Sequence, residues 1–136
     1  FVESDVIISS LLSEKGAAYL LLNKQKSNFV ISSISKKEIE EVAERLDIEQ
    51  NKVQNLIKKR LKVISLKEEI SKIKKEFKNY TTDVDDTHIV AGSASAKAKF
   101  LLTYNLRHFQ KQKIKEDLGI IVLTPAQYLQ YLRSLE

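Results

Sequence analysis

The feature that most constrains this chain is an alternation. Short apolar runs rich in β-branched residues are separated from one another by longer stretches with helical periodicity. Phe1-Val2, Asn28 to Ser32, Lys99 to Thr103 and Gly119 to Leu123 read as strands, and Lys62 to Ser65 as a short strand or turn. A helix begins at Val6, and others are predicted over Ala17–Lys26, Ser35–Leu46, Glu49–Leu61, Lys67–Lys78, Asp85–Ala98 and Pro125–Leu135. Ile39, Val42, Ala43 and Leu46 fall at i, i+3, i+4 and i+7, so one face of their helix is apolar. Thr124 followed by Pro125 is a helix start, with proline at the first helical position. Strands divided by helices predict an α/β fold: three layers, with a central, mostly parallel sheet flanked by helices.

No composition shift, internal repeat or proline-rich stretch divides the 136 residues, so a single domain over 1–136 is expected. The chain opens on Phe1-Val2 without an initiator methionine, and its first strand is expected to lack a few residues. No apolar run approaches the roughly 18–20 residues that span a bilayer, and no signal peptide precedes the first element. A cytoplasmic protein with no membrane partner is the expectation.

What the chain lacks narrows its chemistry. It has no cysteine, which excludes a disulfide scaffold, a zinc finger and a cysteine nucleophile. Its only histidines are His88 and His108, which argues against a histidine-rich transition-metal site. Three glycines and one proline leave no material for a glycine-rich phosphate loop. Any chemistry must therefore run on carboxylates. The net charge of +5 favours anionic partners, although solubility alone accounts for an excess of that size.

Open α/β sheets place ligands at the carboxyl ends of their strands. There, Phe1-Val2 runs into Glu3, Ser4 and Asp5, and Phe29 to Ile31 leads through Ser32 and Ser33 to the helix carrying Glu38. The strand from Lys99 ends at Thr103, Tyr104 and Asn105, and Asp83, Asp85 and Asp86 open the helix before it. Each acid also has a local role open to it. Ser35 and Glu38 have the spacing of a capping box, yet Glu38 lies about 90° from the apolar stripe, whereas Glu41 points away from it. Asp83 and Asp86 suit a helix start, but Asp86 precedes Ile89, Val90 and Ser93 on the inward stripe and needs a partner, a lysine or a divalent metal. Asp5 reads as an N-cap for the helix from Val6 rather than as a ligand. Glu3 has no capping role. Carboxylates converging without histidine or cysteine describe a hard-cation site of the kind that serves phosphodiester hydrolysis.

In order along the chain, five segments resemble PIN domains, a metal-dependent ribonuclease fold that includes the VapC-type toxins of toxin–antitoxin pairs. They are Phe1 to Leu12, Ser32 to Ile39, Asp85 to Ala91, Leu101 to Phe109, and Ile121 to Pro125 with Tyr128-Leu129. The resemblance implies a PIN-like three-layer fold and a Mg²⁺- or Mn²⁺-dependent endoribonuclease. Glu3, Glu38 and Asp86 would be its metal ligands, and Asn105 a fourth catalytic position. That fourth position falls on His108 in members that carry the acid three residues later. Thr103 and Arg107 would contact the substrate or neighbouring site groups. Two departures stand out: Glu3 replaces the family's aspartate, with one more methylene, and Asn105 carries no charge. A misplacement of about 1 Å can cost around a hundredfold in rate.

The resemblance implies an RNA substrate and a cognate antitoxin partner, and apolar residues left over on the early helices suggest a homodimer face or an antitoxin groove, though ordinary core accounts for most of them. The alternative is a PIN-fold RNA-binding or assembly module whose catalysis is weakened, as the departures at Glu3, Asn105 and His108 suggest. Lysine-rich stretches around Lys58, Lys74 and Lys113 offer RNA contacts, though solvated helix faces explain most of them.

Overall fold

The computed structural model of the chain describes residues 1–136. Eight helices and four strands alternate as α1 (Ser4–Leu12), α2 (Ala17–Lys24), β1 (Phe29–Ser32), α3 (Ser33–Arg45), α4 (Gln50–Arg60), β2 (Leu61–Ile64), α5 (Ile70–Phe77), α6 (Thr87–Ser95), β3 (Phe100–Leu102), α7 (Lys111–Leu118), β4 (Ile121–Leu123) and α8 (Pro125–Ser134). Short 3-10 turns at Lys78–Tyr80, Val84–Asp86 and Leu106–His108 link them. No helix is long and apolar enough to cross a membrane.

The strands form two parallel pairs, β1 with β2 and β3 with β4. Residues 1–3 join them. Val2 N–H donates to Val30 O at 3.0 Å on one side. On the other, Glu3 N–H donates to Leu102 O and Leu102 N–H to Phe1 O, both at 2.9 Å. The result is one parallel sheet in the order β2, β1, residues 1–3, β3, β4, as the alternation predicts. The segment Lys62 to Ser65, left between strand and turn in the sequence, is the strand β2.

Side chains on this sheet alternate between two cores, as a period of two demands. Val2, Phe29, Ile31, Leu61 and Leu102 face a core built with α1 to α4 and Leu129 of α8. Phe1, Leu101 and Val122 face the other way, onto Ile89 and Val90 of α6 and Ile114 of α7. Helices thus cover both faces, giving the expected three layers. Gly92 lets α6 approach this closely: a Cβ there would lie 2.7 Å from the Phe1 ring.

Several local expectations are corrected. Helix α3 starts two residues earlier than its periodicity suggests, because Ser32 and not Ser35 is its N-cap. The Ser32 hydroxyl accepts from Ser35 N–H at 3.0 Å, and Ser35 is fully buried inside the first turn. The capping-box reading of Glu38 fails with it, since Glu38 lies a full turn into the helix. The helix expected over Asp85–Ala98 is a 3-10 turn at Val84–Asp86 followed by α6, with Asp83 capping the turn by accepting from Asp85 N–H at 2.9 Å. Lys111 to Leu118, read only as a lysine-rich stretch, is helix α7, and its apolar anchor Ile114 is fully buried. Gly119, expected to begin a strand, instead ends α7 in the left-handed region at φ 68°.

Because Ser32 is fully buried, Ser32→Ala leaves the Ser35 amide without a partner at the helix carrying Glu38. Such a cap loss costs about 1–2 kcal/mol. The expected outcome is a melting temperature lower by about 3–6 °C, measured by circular dichroism.

Candidate active site

The carboxyl ends of the strands carry the acids. Glu3 follows the residue that bridges β1 and β3, and at 7% exposure it is the most buried acid of the chain. Its Oε1 accepts from the Thr103 hydroxyl at 2.8 Å. Thr103, fully buried, also accepts from Asn105 N–H at 2.9 Å, so one hydroxyl ties the end of β3 to the end of the first strand. Thr103 thus contacts a neighbouring site group, Glu3, one of the two contacts the resemblance implies for it.

Asp5 is not the N-cap that the sequence suggests. Helix α1 begins at Ser4, and Asp5 lies in its first turn with Glu3 in the capping position. This turns the Asp5 carboxylate back over the strand ends. Its Oδ2 accepts from Tyr104 N–H at 3.0 Å and from the Asn105 side-chain amide at 3.1 Å. Its Oδ1 is buried and has no partner.

Glu38 and Asp86 complete the rim, each beside a histidine. His88 Nε2 lies 3.3 Å from Glu38 Oε1, and His108 Nδ1 lies 3.4 Å from Asp86 Oδ2. Glu38 Oε1 is buried without a hydrogen-bond partner, as is His88 Nδ1. Arg107 is exposed, on the same turn as His108. Of the residues singled out in the sequence, the structure therefore gathers Glu3, Thr103 and Asn105 into one network, with Glu38 and Asp86 held by histidines. Asp5 and His88 join them without having been expected. His88 carried a readable signal, since it stands two residues after Asp86 in an Asp-x-His pattern. For Asp5, the signal depended on starting α1 at Ser4.

Burial dominates the electrostatics of these acids. Burial pushes the Glu3 carboxyl up to about 8, and the charges of Asp5 and Asp86 add to the rise while Thr103 and Asn105 oppose it. Asp5 is raised, by burial first, against the pull of the Tyr104 and Val6 amides and His108. Asp86 is raised as well, again by burial first, with His108 opposing and Asp83 adding. These groups titrate as a set.

A hard divalent cation suits this donor set. Carboxylate oxygens predominate; Asp5 Oδ1 is buried without a partner, and Glu38 Oε1 makes no hydrogen bond and faces only His88 Nε2 at 3.3 Å. As the side chains stand, no three Asp, Glu or His residues lie close enough together to hold one ion. Asp5 is drawn to Asn105, Glu38 faces His88 and Asp86 faces His108, so carboxylates must rotate to meet a cation.

Above its unfolded value, near 4.5, Glu3 loses its proton more readily in the unfolded chain than in the native one. The native state then binds the extra proton, and stability falls as pH rises from about 4.5 to about 8. The slope approaches 1.4 kcal/mol per pH unit where the difference is one full proton. Asp5 and Asp86 act with the same sign. Thermal melts in the presence of a chelator are expected to show a melting temperature that declines from pH 5 to pH 8. Glu3→Gln is expected to flatten that decline; an unchanged profile in this variant would show that Glu3 does not hold the proton.

Comparison with proteins of curated function gives no match. A solved structure, a toxin-antitoxin complex from Klebsiella pneumoniae, is similar in fold, with a TM-score of 0.66 at 21% identity over 91% of this chain and 95% of its own. Residues 1–107 match the PIN domain family. The match spans both strand pairs' junction and every acid of the site, and the chain belongs to the PIN domain family, whose members are generally nucleases that use divalent metal ions.

Proposed function

We propose that this chain is a divalent-metal-dependent endoribonuclease acting on RNA phosphodiester bonds, and the toxin of a toxin–antitoxin pair. The observation that carries the reading is the buried, unpartnered Asp5 Oδ1 beside the buried Glu3, on a sheet edge where Glu38 and Asp86 also stand. Charges of one sign held together in low dielectric are costly unless a counter-charge joins them. Glu3, Glu38 and Asp86 would hold Mg²⁺ or Mn²⁺. When bound, the ion supplies activated water and neutralises charge developing on the phosphate.

The remaining roles belong to the chain's own groups. Thr103 fixes Glu3 in one rotamer through its hydroxyl. His88 and His108 orient Glu38 and Asp86. Arg107, exposed on the turn that carries His108, would meet a substrate phosphate. The excess of positive charge draws a polyanion toward the protein. The fold shared with a toxin-antitoxin complex supports an antitoxin partner, and exposed Leu12 and Leu20 on the first two helices offer it apolar anchors.

The separation of the carboxylates favours a second reading, an RNA-binding module that does not cleave. Incubation of labelled single-stranded RNA with Mn²⁺ distinguishes the two. The nuclease reading expects metal-dependent cleavage that Asp86→Asn and Glu38→Gln each reduce at least a hundredfold. It also expects Glu3→Asp, which restores the family's residue, to raise the rate. RNA retained in a binding assay, but intact with every divalent ion tried, would establish the module instead.

A further inference from the structure

Asn105 occupies the position where the family resemblance places an acid, yet its side chain is already committed. Its amide nitrogen donates to Asp5 Oδ2 at 3.1 Å, and its backbone nitrogen donates to the Thr103 hydroxyl at 2.9 Å. Tyr104 N–H donates to the same Asp5 oxygen at 3.0 Å. Asp5 is thus gripped on one oxygen by two donors from the turn after β3, while its other oxygen is buried and unpartnered. Asp5 is linked to Glu3 through Asn105 and the Thr103 hydroxyl, which donates to Glu3 Oε1 at 2.8 Å, so its free oxygen lies on the same edge of the sheet as Glu3. A carboxylate held by one oxygen and free at the other is suited to accept a cation on the free side.

We infer that Asp5 supplies the fourth carboxylate of the metal site, and that Asn105 is not a ligand but the positioning residue that holds Asp5 in place. The charge missing after β3 is thereby restored from the first turn of α1, two residues beyond Glu3. The inference rests on the metal-dependent reading above and changes its donor set. An asparagine oxygen after β3 would add a neutral ligand; an aspartate in α1 adds a full negative charge. The arrangement also explains the amide at 105. A carboxylate there would face Asp5 across about 3 Å with no donor between them, and the two would repel.

The test is titration of the full chain with Mn²⁺ alone by calorimetry, with melting temperatures recorded in chelator and in Mn²⁺. Asp5→Asn is nearly isosteric and keeps an oxygen for the Tyr104 amide. It is expected to weaken Mn²⁺ affinity at least tenfold. It is also expected to melt at or above the wild-type temperature in chelator, because one of the mutually repelling charges has gone. A purely structural role for Asp5 would lower both quantities, so the opposite signs are diagnostic. Asn105→Ala is expected to weaken Mn²⁺ affinity by a smaller factor, about two- to fivefold, and to have little effect in the Asp5→Asn background. Wild-type affinity in Asp5→Asn overturns the inference, as does a loss in Asn105→Ala that persists undiminished in the double variant, which would make Asn105 the ligand. If the wild-type chain binds no Mn²⁺ while Asp86→Asn behaves identically, the metal-dependent reading itself fails and this inference falls with it.

Discussion

The structure turns on the backbone hydrogen bonds that fix residues 1–3 between β1 and β3. Without them the molecule is two separate pairs of short strands, and a two-stranded pair has marginal stability in water. With them the sheet is continuous, and the strict alternation of its side chains assigns Phe1 to one core and Val2 to the other. The next residue, Glu3, then emerges at the carboxyl edge beside Thr103. Its placement is a consequence of register: a slip of one residue would turn Glu3 into the opposite core and Val2 toward Thr103. The same three residues hold the fold together and aim its most buried acid.

That acid is tolerated because the cores on either side contribute far more than it costs. Fully burying a Leu, Ile or Phe side chain stabilises by about 1.5–3 kcal/mol, and Ile7, Leu21, Leu22, Ile31, Ile39, Leu101 and Ile114 are all fully buried. A domain with such a surplus can carry a destabilised site. The turn from Thr103 to Asn105 limits the cost by supplying donors to Glu3 and Asp5 together. Those donors restrain Glu3 and Asp5 without supplying any positive charge.

Much of this was legible in the sequence, and the failures have identifiable causes. The strands and the long helices followed from periodicity because each buries a regular face: Ile39 and Ala43 are both fully buried at i and i+4. Helix α7 escaped because it buries a single side chain, Ile114, among lysines, so it has no stripe to detect. Gly119 was misread for the same reason, since a glycine marks a helix end only once the helix is seen. Ser32 and Ser35 both satisfied the chemistry of an N-cap; burial of Ser35 in the first turn decides between them. The acids at 3, 38 and 86 stood out in the sequence because they fall at or near strand ends, where this architecture places ligands. Asp5 was passed over because its partners Tyr104 and Asn105 lie about a hundred residues away along the chain, a proximity created by strand pairing rather than by local pattern.

The histidines show how the same surroundings limit what the acids do when no cation is near. Lys74 pairs with Asp85 at the surface, but no lysine or arginine pairs with Glu3, Asp5, Glu38 or Asp86 in a chain of nineteen lysines and four arginines. A buried lysine would neutralise the pocket permanently and compete with any ion. Imidazole is a weaker counter-charge that can turn away, and His108 is partly exposed where it faces Asp86. The exclusion of lysine from a pocket in so basic a chain leaves the carboxylates electrically unsatisfied in the way that a cation-binding site requires. It also keeps the positive charge on the outside, away from the acids.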